Sequence, residues 1–215
     1  MVTLQQVKPQ QIEQESFRII EHEFLEQTGH RPDEFQSDRF KVIQRVIHAT
    51  GDFSFAAALF FHERAIQAGL ASIRAGKNIL IDVNMGAAGI SRTILKKFGG
   101  EVICRIGDSE VGRIAQEKGL TRSEVAVDLA VHDNIGIAAI GNAPTALLAA
   151  MRLIDEGTFN PDLVIGVPVG FVNAQESKEI LAEKTYPFIA ALGRKGGTPV
   201  AVAIINALLR LAEQG

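Results

Sequence analysis

The chain has 215 residues, of which 47% are hydrophobic, and this is enough apolar material for a large buried core. The formal net charge of −3 gives no general reason to expect nucleic acid or an anionic membrane surface as a partner. A single cysteine, Cys104, excludes an internal disulfide and a cysteine-based metal cluster. With a polar N-terminus and no apolar run of roughly 18 residues, we expect a cytoplasmic protein with one domain over residues 1–215.

Helical periodicity dominates the first third of the chain. Apolar residues recur at helical spacing from Gln11 to Gln27, which predicts a first helix. A second helix is predicted from a Ser37 cap through Ile47, with Gly51 in place to end it. A third is predicted from about Phe55 to Ala75, closing at Gly76.

Short, β-rich apolar runs alternate with helical patterns from residue 78 onwards. These runs cover residues 78–83, 101–106, 135–140, 163–167 and 187–192. Strands that are apolar throughout and alternate with helices are typical of a parallel sheet covered on both faces. The sequence therefore predicts an α/β fold with a mainly parallel five-stranded sheet, onto which the N-terminal helices pack.

Two glycine-containing segments follow predicted strands, at the edge of the sheet where ligands bind in such folds. In Gly141-Asn142-Ala143-Pro144-Thr145, the amides of a helix start could bind a carboxylate or a phosphate; the alternative is an ordinary strand-to-helix turn. In Gly193-Arg194-Lys195-Gly196-Gly197, two cations could form an anion site; the alternative is an exposed, solvated loop.

The segment Gly166-Val167-Pro168-Val169-Gly170-Phe171 predicts a stiff loop, followed by a helix that contains Ser177. A serine here could be a nucleophile, but there is no G-x-S-x-G turn and no histidine close in sequence. We therefore expect Ser177 on the solvated surface of its helix. The glycine patterns of dinucleotide and P-loop sites are also absent, which argues against a nucleotide-binding domain.

His48 is the histidine with the most distinctive setting among the five in the chain, none of which form an H-x-x-x-H pair. It follows an apolar helix and precedes a glycine hinge at Gly51. Arg45 lies three residues earlier on the same helix face, and a neighbouring cation favours the neutral imidazole that can accept a proton. The alternative is a packing or capping residue at the helix end.

Several segments resemble the precorrin-8X methylmutases of cobalamin biosynthesis, in the same order over nearly the whole chain. They are Ile12-Glu13-Gln14-Glu15-Ser16-Phe17, Val46-Ile47-His48-Ala49, Thr121-Arg122-Ser123, Gly141-Asn142-Ala143-Pro144-Thr145-Ala146-Leu147, Gly166-Val167-Pro168-Val169-Gly170-Phe171-Val172, Glu176-Ser177-Lys178 and Gly193-Arg194-Lys195-Gly196-Gly197. The resemblance implies a three-layer α/β/α sandwich and a homodimer that holds the macrocycle near the subunit interface. It also implies an isomerase that moves a methyl group from C-11 to C-12 of precorrin-8X or cobalt-precorrin-8, giving hydrogenobyrinate or cobyrinate.

The resemblance also assigns roles to individual residues. It implies that His48 is catalytic and that Ser16, Arg45 and Arg122 contact the substrate. Where family members carry Glu-Met-Val, this chain has Asn84-Met85-Gly86, which argues against an acidic role at position 84.

A corrinoid combines a flat apolar ring with acetate and propionate carboxylates, so the implied ligand suits the side chains at the predicted strand ends. The carboxylates suit the arginines, including Arg194, and the helix start at Asn142. The apolar ring suits Met85, whose side chain is flexible. No cofactor and no protein-bound metal are needed, because the migrating methyl group is already on the substrate. A non-catalytic corrinoid carrier of the same pathway is the alternative function, and whether the substrate contains cobalt stays open.

Overall fold

Residues 8–214 are described by a computed structural model in which six strands form one sheet. The helices are α1 Ile12–Thr28, α2 Ser37–Thr50, α3 Phe55–Ala58, α4 Ala65–Arg74, α5 Asn84–Gly89, α6 Arg92–Phe98, α7 Ser109–Lys118, α8 Arg122–Ala130, α9 Pro144–Asp155, α10 Ala174–Ala182 and α11 Thr198–Gln214. The strands are β1 Leu59–Phe61, β2 Asn78–Ile81, β3 Val102–Ile103, β4 Ile135–Ile140, β5 Leu163–Gly166 and β6 Phe188–Ala191.

The sheet has the strand order β1-β6-β5-β4-β2-β3, and every pairing except β1 with β6 is parallel. Successive side chains of each central strand enter two different cores, as the alternation of a strand requires. In β2, for example, Ile79 and Ile81 join one core while Leu80 joins the other. Because both faces are covered, these strands are apolar throughout, which is why they could be found in the sequence.

Two helical layers cover the sheet and confirm the three-layer α/β/α arrangement. One core contains buried residues of α1, α2, α4 and α11, and the other contains those of α8, α9 and α10. The helix α2 packs along α11, which brings the N-terminal region onto the core as predicted.

A sixth strand, β1, lies where the sequence predicted the middle of a long helix from Phe55 to Ala75. The prediction of one helix and of five strands was wrong here: α3 ends at Ala58, and Leu59–Phe61 pairs antiparallel with β6. The amide of Leu192 donates to the carbonyl of Ala58 at 2.8 Å, and the pairing continues along the open edge of β6. Tertiary pairing with that edge outweighs the local helical pattern.

Smaller differences concern the ends of elements. Ser37 is the first residue of α2 rather than its cap, and Gln36, which precedes it, makes no capping hydrogen bond through its side chain. The helix continues to Thr50, so His48 belongs to its last turn, and Gly51 ends it in the left-handed conformation as predicted. At the sheet edge, β3 is reduced to two residues, consistent with its having one neighbouring strand.

The crossovers reverse direction between β2 and β4, which makes this the topological switch point of the sheet. After β2 the chain passes into α5 on one face, and after β4 it passes into α9 on the other. In open α/β sheets the crevice at such a point, beyond the carboxyl ends of the strands, is the usual place for a ligand. Within residues 8–214, no helix combines the length and the apolar character needed to cross a membrane.

Candidate active site

The residues predicted from sequence to form a site fall into two groups. Ser16, Arg45 and His48 lie on α1 and α2, and the remaining four lie around the carboxyl edge of the sheet: Met85, Arg122, Asn142 and Arg194. Among residues 8–214, no hydrogen bond or ion pair joins a member of one group directly to a member of the other.

His48 is exposed to solvent, yet its ring is held in place by an aromatic neighbour. The ring of Phe17, on α1, lies 5.2 Å from the imidazole centroid in an edge-to-face arrangement. The same phenyl ring lies under the guanidinium of Arg45, at 4.6 Å from its centroid. One aromatic side chain therefore positions both the imidazole and the guanidinium, and the imidazole stays open to a ligand.

The charge of Arg45 is already paired. Its guanidinium donates to the carboxylate of Glu13 at 2.5 Å, and Arg210 on α11 approaches the same carboxylate at 3.5 Å. Burial alone raises the pKa of Glu13, but Arg45, Arg210 and the nearby His48 outweigh it and hold this pKa below its ordinary value. The cation that the sequence placed beside His48 is thus neutralised locally by Glu13.

Ser16 lies on the same helix as Glu13, one turn further along. Its hydroxyl donates to the carbonyl of Ile12 at 2.8 Å, within its own helix. The side chain is half-buried, and this bond engages its donor hydrogen while its oxygen can still accept.

Two hollows in the surface adjoin this first group. The larger, of about 600 Å³, lies between α1 and Gln44, and the smaller, of about 240 Å³, is lined by Lys41, Arg45 and Arg210 among others. Phe17 borders both hollows, whereas His48 lines neither of them. The basic lining of the smaller hollow suits a carboxylate.

At the switch point, the turn after β4 is filled by a carboxylate of the protein itself. Asp82, at the end of β2, is 3% exposed and accepts the backbone N–H groups of Gly141, Asn142 and Ala143 at 3.0, 2.8 and 2.8 Å. Burial raises the pKa of Asp82, and the three amide donors offset part of that rise. Asp82 therefore occupies these three amides, and of the two alternatives left open by the sequence, the ordinary strand-to-helix turn describes them.

Asn142 nevertheless projects from this turn, since only its backbone amide is engaged by Asp82 and the residue is exposed. Arg122 begins α8 close by: the hydroxyl of Thr121, which caps α8, lies 3.0 Å from that of Thr145 at the start of α9. The guanidinium of Arg122 donates to the carbonyl of Ile106 at 3.0 Å. Met85, on α5 after β2, has 66% of its surface exposed.

Of the two cations predicted in the loop of residues 193–197, Lys195 is engaged within the part of the chain that the structure describes. Lys195 donates to the carboxylate of Asp52 at 2.6 Å and to the hydroxyl of Ser54 at 2.8 Å, so its charge is used within the chain. The Lys195 ammonium holds the pKa of Asp52 below its ordinary value. Arg194 remains exposed, with its guanidinium 5.4 Å from the ring centroid of Phe171.

The interpretation of Ser177 as a solvated surface residue was wrong. Ser177 is 1% exposed and the adjacent Lys178 is fully buried, so this face of α10 points into the protein. The hydroxyl of Ser177 donates to the carbonyl of Ala174 at 3.1 Å. Polar residues such as Ser177 and Lys178 can lie on the buried face of a helix when each donates to a hydrogen-bond acceptor.

Four further residues organise these groups and were not singled out in the sequence: Glu13, Phe17, Asp82 and Lys178. Glu13 and Phe17 are four residues apart, a spacing that places them on one face of α1. That spacing was visible in the sequence, but the partners of the two side chains come from α2 and α11. Within residues 8–214, no three histidine, cysteine or acidic side chains assemble into a metal-binding group.

Similarity to known proteins extends over almost the full chain. The sequence model of the precorrin-8X methylmutase family matches residues 11–211. The chain belongs to this family.

A cobalt-precorrin-8 methylmutase of Priestia megaterium is 46% identical over 210 residues, covering 97% of this chain and 91% of its own. One of Methanocaldococcus jannaschii is 42% identical over 205 residues, covering 94% and 93%. The crystal structure of a precorrin-8X methylmutase from Thermus thermophilus superposes with a TM-score of 0.84 at 42% identity, covering 95% of this chain and 98% of that one.

Membership of the family confirms the predicted class of activity, an isomerase of cobalamin biosynthesis that shifts a methyl group. The alternative, a non-catalytic corrinoid carrier, gains no support from these relatives. The matched fold also confirms the α/β architecture, with the sixth strand as the addition to what the sequence predicted.

Proposed function

We propose that this methylmutase moves a methyl group from C-11 to C-12 of cobalt-precorrin-8, giving cobyrinate, and that His48 is its catalytic residue. One observation carries the proposal: an exposed imidazole is held edge-on by Phe17, next to an arginine that is itself held by Glu13. A side chain that must meet a large ligand and act on one of its atoms needs both exposure and a fixed orientation. The names of the two relatives described above support cobalt-precorrin-8 as the substrate.

The reaction is written as a 1,5-sigmatropic shift, in which one carbon–carbon bond breaks, another forms and the ring double bonds move. Product and substrate are isomers, so no co-substrate enters and no cofactor is required. The protein holds the macrocycle in a conformation near the transition state, and His48 polarises or protonates a ring position while the double bonds rearrange. With cobalt in the ring, the nitrogens are occupied, and His48 then acts at a carbon or through electrostatics.

The remaining candidate residues bind the periphery of the macrocycle in this proposal. Arg122 and Arg194 pair with acetate and propionate carboxylates, for which the planar guanidinium is well suited. Arg45, whose charge Glu13 balances, donates to a carboxylate through N–H groups that Glu13 does not engage. Ser16 and Asn142 add hydrogen bonds, and the exposed Met85 packs on the ring. The exposed position of Arg194 and the basic hollow next to Arg45 support these assignments.

Direct conversion tests the proposed function. When the chain is mixed under anaerobic conditions with cobalt-precorrin-8 and nothing else, we expect the absorbance spectrum to change to that of cobyrinate at constant mass. We expect a kcat/KM at least tenfold higher than with metal-free precorrin-8X, and protein-free substrate is the control. Binding of the substrate without isomerisation would contradict the proposal and favour the carrier function.

A homodimer is also proposed, working in the cytoplasm with the macrocycle near the subunit interface. The two groups of candidate residues lie towards opposite ends of α11: Arg210 pairs with Glu13, whereas Thr198 adjoins the turn at Gly141. Arg210 lies 12 positions after Thr198, which corresponds to roughly 18 Å along the helix. A second copy that presents its own side chains could complete a site that one chain holds in two parts.

Complementation tests the dimer. Light scattering is expected to give twice the mass of one chain. A mixture of His48→Asn and Arg194→Ala chains, refolded together, is expected to regain part of the activity that each variant lacks alone. A monomeric mass together with full activity would contradict the dimer.

A further inference from the structure

Lys178 is the one fully buried side chain with a formal charge among residues 8–214. It lies on α10, with no exposed surface, and forms no ion pair within that part of the chain. Its ammonium donates a hydrogen bond to the backbone carbonyl of Lys195 at 2.7 Å. A buried ammonium therefore faces a neutral acceptor rather than a carboxylate.

Such an arrangement costs stability. Removing an ammonium from water carries a penalty of several kcal/mol in proteins, and one neutral hydrogen bond offsets only part of it. Burial accordingly lowers the pKa of Lys178 to about 8. An apolar side chain of similar length would fit the same space at lower cost, so stability alone does not account for a lysine here.

The carbonyl that Lys178 holds belongs to the loop of residues 193–197, which carries Arg194. This loop packs tightly on the loop after β5: the amide of Gly197 donates to the carbonyl of Val167 at 2.7 Å. At Gly196, which has a φ of 150°, a Cβ atom would lie 2.3 Å from the same carbonyl oxygen, so no side chain fits. The loop thus has a defined conformation that depends on close backbone contacts.

Lys195 is held at both of its ends. Its carbonyl accepts from Lys178 on one side, and its ammonium binds Asp52 and Ser54 on the other. Asp52 follows the Gly51 hinge that ends α2, four residues after His48. The contacts of Lys195 therefore connect α10, the loop that carries Arg194, and the end of the helix that carries His48.

We propose that Lys178 is a positioning residue, which holds the loop of residues 193–197 by its Lys195 carbonyl and so fixes the position of Arg194. Its charge strengthens the hydrogen bond to the carbonyl, because the Lys178 side chain itself is removed from water. The lysine thus gives up stability in return for a defined loop, a trade that is common at functional sites. The link to catalysis rests on the proposed function, whereas the link to loop order does not.

Replacement of Lys178 by methionine tests the proposal. We expect a melting temperature that is unchanged or higher, because a buried charge is removed. We also expect hydrogen exchange at the loop amides at least tenfold faster, and a KM at least tenfold higher with kcat within threefold of wild type. Lys184→Met is the matched control, since that lysine pairs with Asp155 at the surface, and it should change none of these quantities.

The results for this variant distinguish a positioning role of Lys178 from a purely structural one. Unchanged loop exchange, or a melting temperature and kcat that fall together, would overturn the positioning role and leave Lys178 with a structural one. If the methionine variant does not fold, Lys178→Gln, which keeps a donor without the charge, is judged by the same loop exchange. If wild-type chain isomerises no corrinoid, the proposed function fails, yet the exchange measurement still decides whether Lys178 orders the loop.

Discussion

Replacement of His48 by asparagine is expected to lower kcat by about 10²- to 10⁴-fold, the contribution typical of a positioned acid–base group. Substrate affinity and the fold should be retained, because His48 is exposed and its side chain makes no hydrogen bond within residues 8–214. Asparagine keeps a polar side chain of similar reach but cannot exchange a proton near neutral pH. The measurements are stopped-flow absorbance for turnover and a binding titration with the corrinoid.

The matched control is His22→Asn, because His22 is another exposed histidine on the N-terminal helices, towards the middle of α1. That variant should have wild-type kinetics. Phe17→Leu gives an intermediate case: it keeps the imidazole but removes its edge-to-face partner, so a smaller loss of about tenfold is expected. A kcat within about threefold of wild type in the His48 variant would eliminate the proposed catalytic role.

Replacement of Asp82 by asparagine is expected to lower the free energy of unfolding by about 2 kcal/mol, because a buried amide donor loses its acceptor. The two carboxylate oxygens accept three N–H groups, and the NH₂ group of asparagine must face at least one of them. Since this turn carries Asn142, we also expect KM to rise. Urea denaturation followed by circular dichroism, together with the isomerisation assay, checks both effects.

Asp162→Asn is the control for Asp82. Asp162 lies near the opposite edge of the sheet, where it forms a partly exposed ion pair with Lys77 at 2.8 Å. Pairs of this kind contribute less than about 1 kcal/mol, and the variant should retain full activity. If Asp82→Asn proved no less stable than Asp162→Asn, the three amide bonds would not be what holds the turn.

Much of the fold could be predicted because its central strands are buried on both faces. Apart from Asn78 at the start of β2, the strands β2, β4, β5 and β6 contain no polar side chain, and the helices between them have the periodicity of one buried face. The strand β1 could not be found in this way. Its three residues, Leu59–Phe61, lie inside a helical pattern, and they form a strand only because β6 offers an open edge.

The candidate site likewise has residues that could be predicted from local sequence and contacts that could not. His48 and Arg45 could be selected from one helix, because their spacing of three residues is a local property of the chain. The pairing of Arg45 with Glu13 joins residues 32 positions apart, and that of Asp82 with the turn at Gly141 joins residues 59 positions apart. No local pattern encodes such contacts, so the sequence left open whether the turn is an anion site, and only the structure showed that the protein supplies the anion.

The sequence by itself determined the family, the α/β class and the identity of the candidate catalytic histidine, since all three depend on residue types at short spacing. Only the tertiary structure decided which charges are free to meet a ligand. Arg194 remains exposed, whereas Lys195 is paired with Asp52 and Lys178 is buried against a carbonyl. The physical reason is that the availability of a charge depends on its partners and its solvent exposure, and both are set by the packing of distant segments.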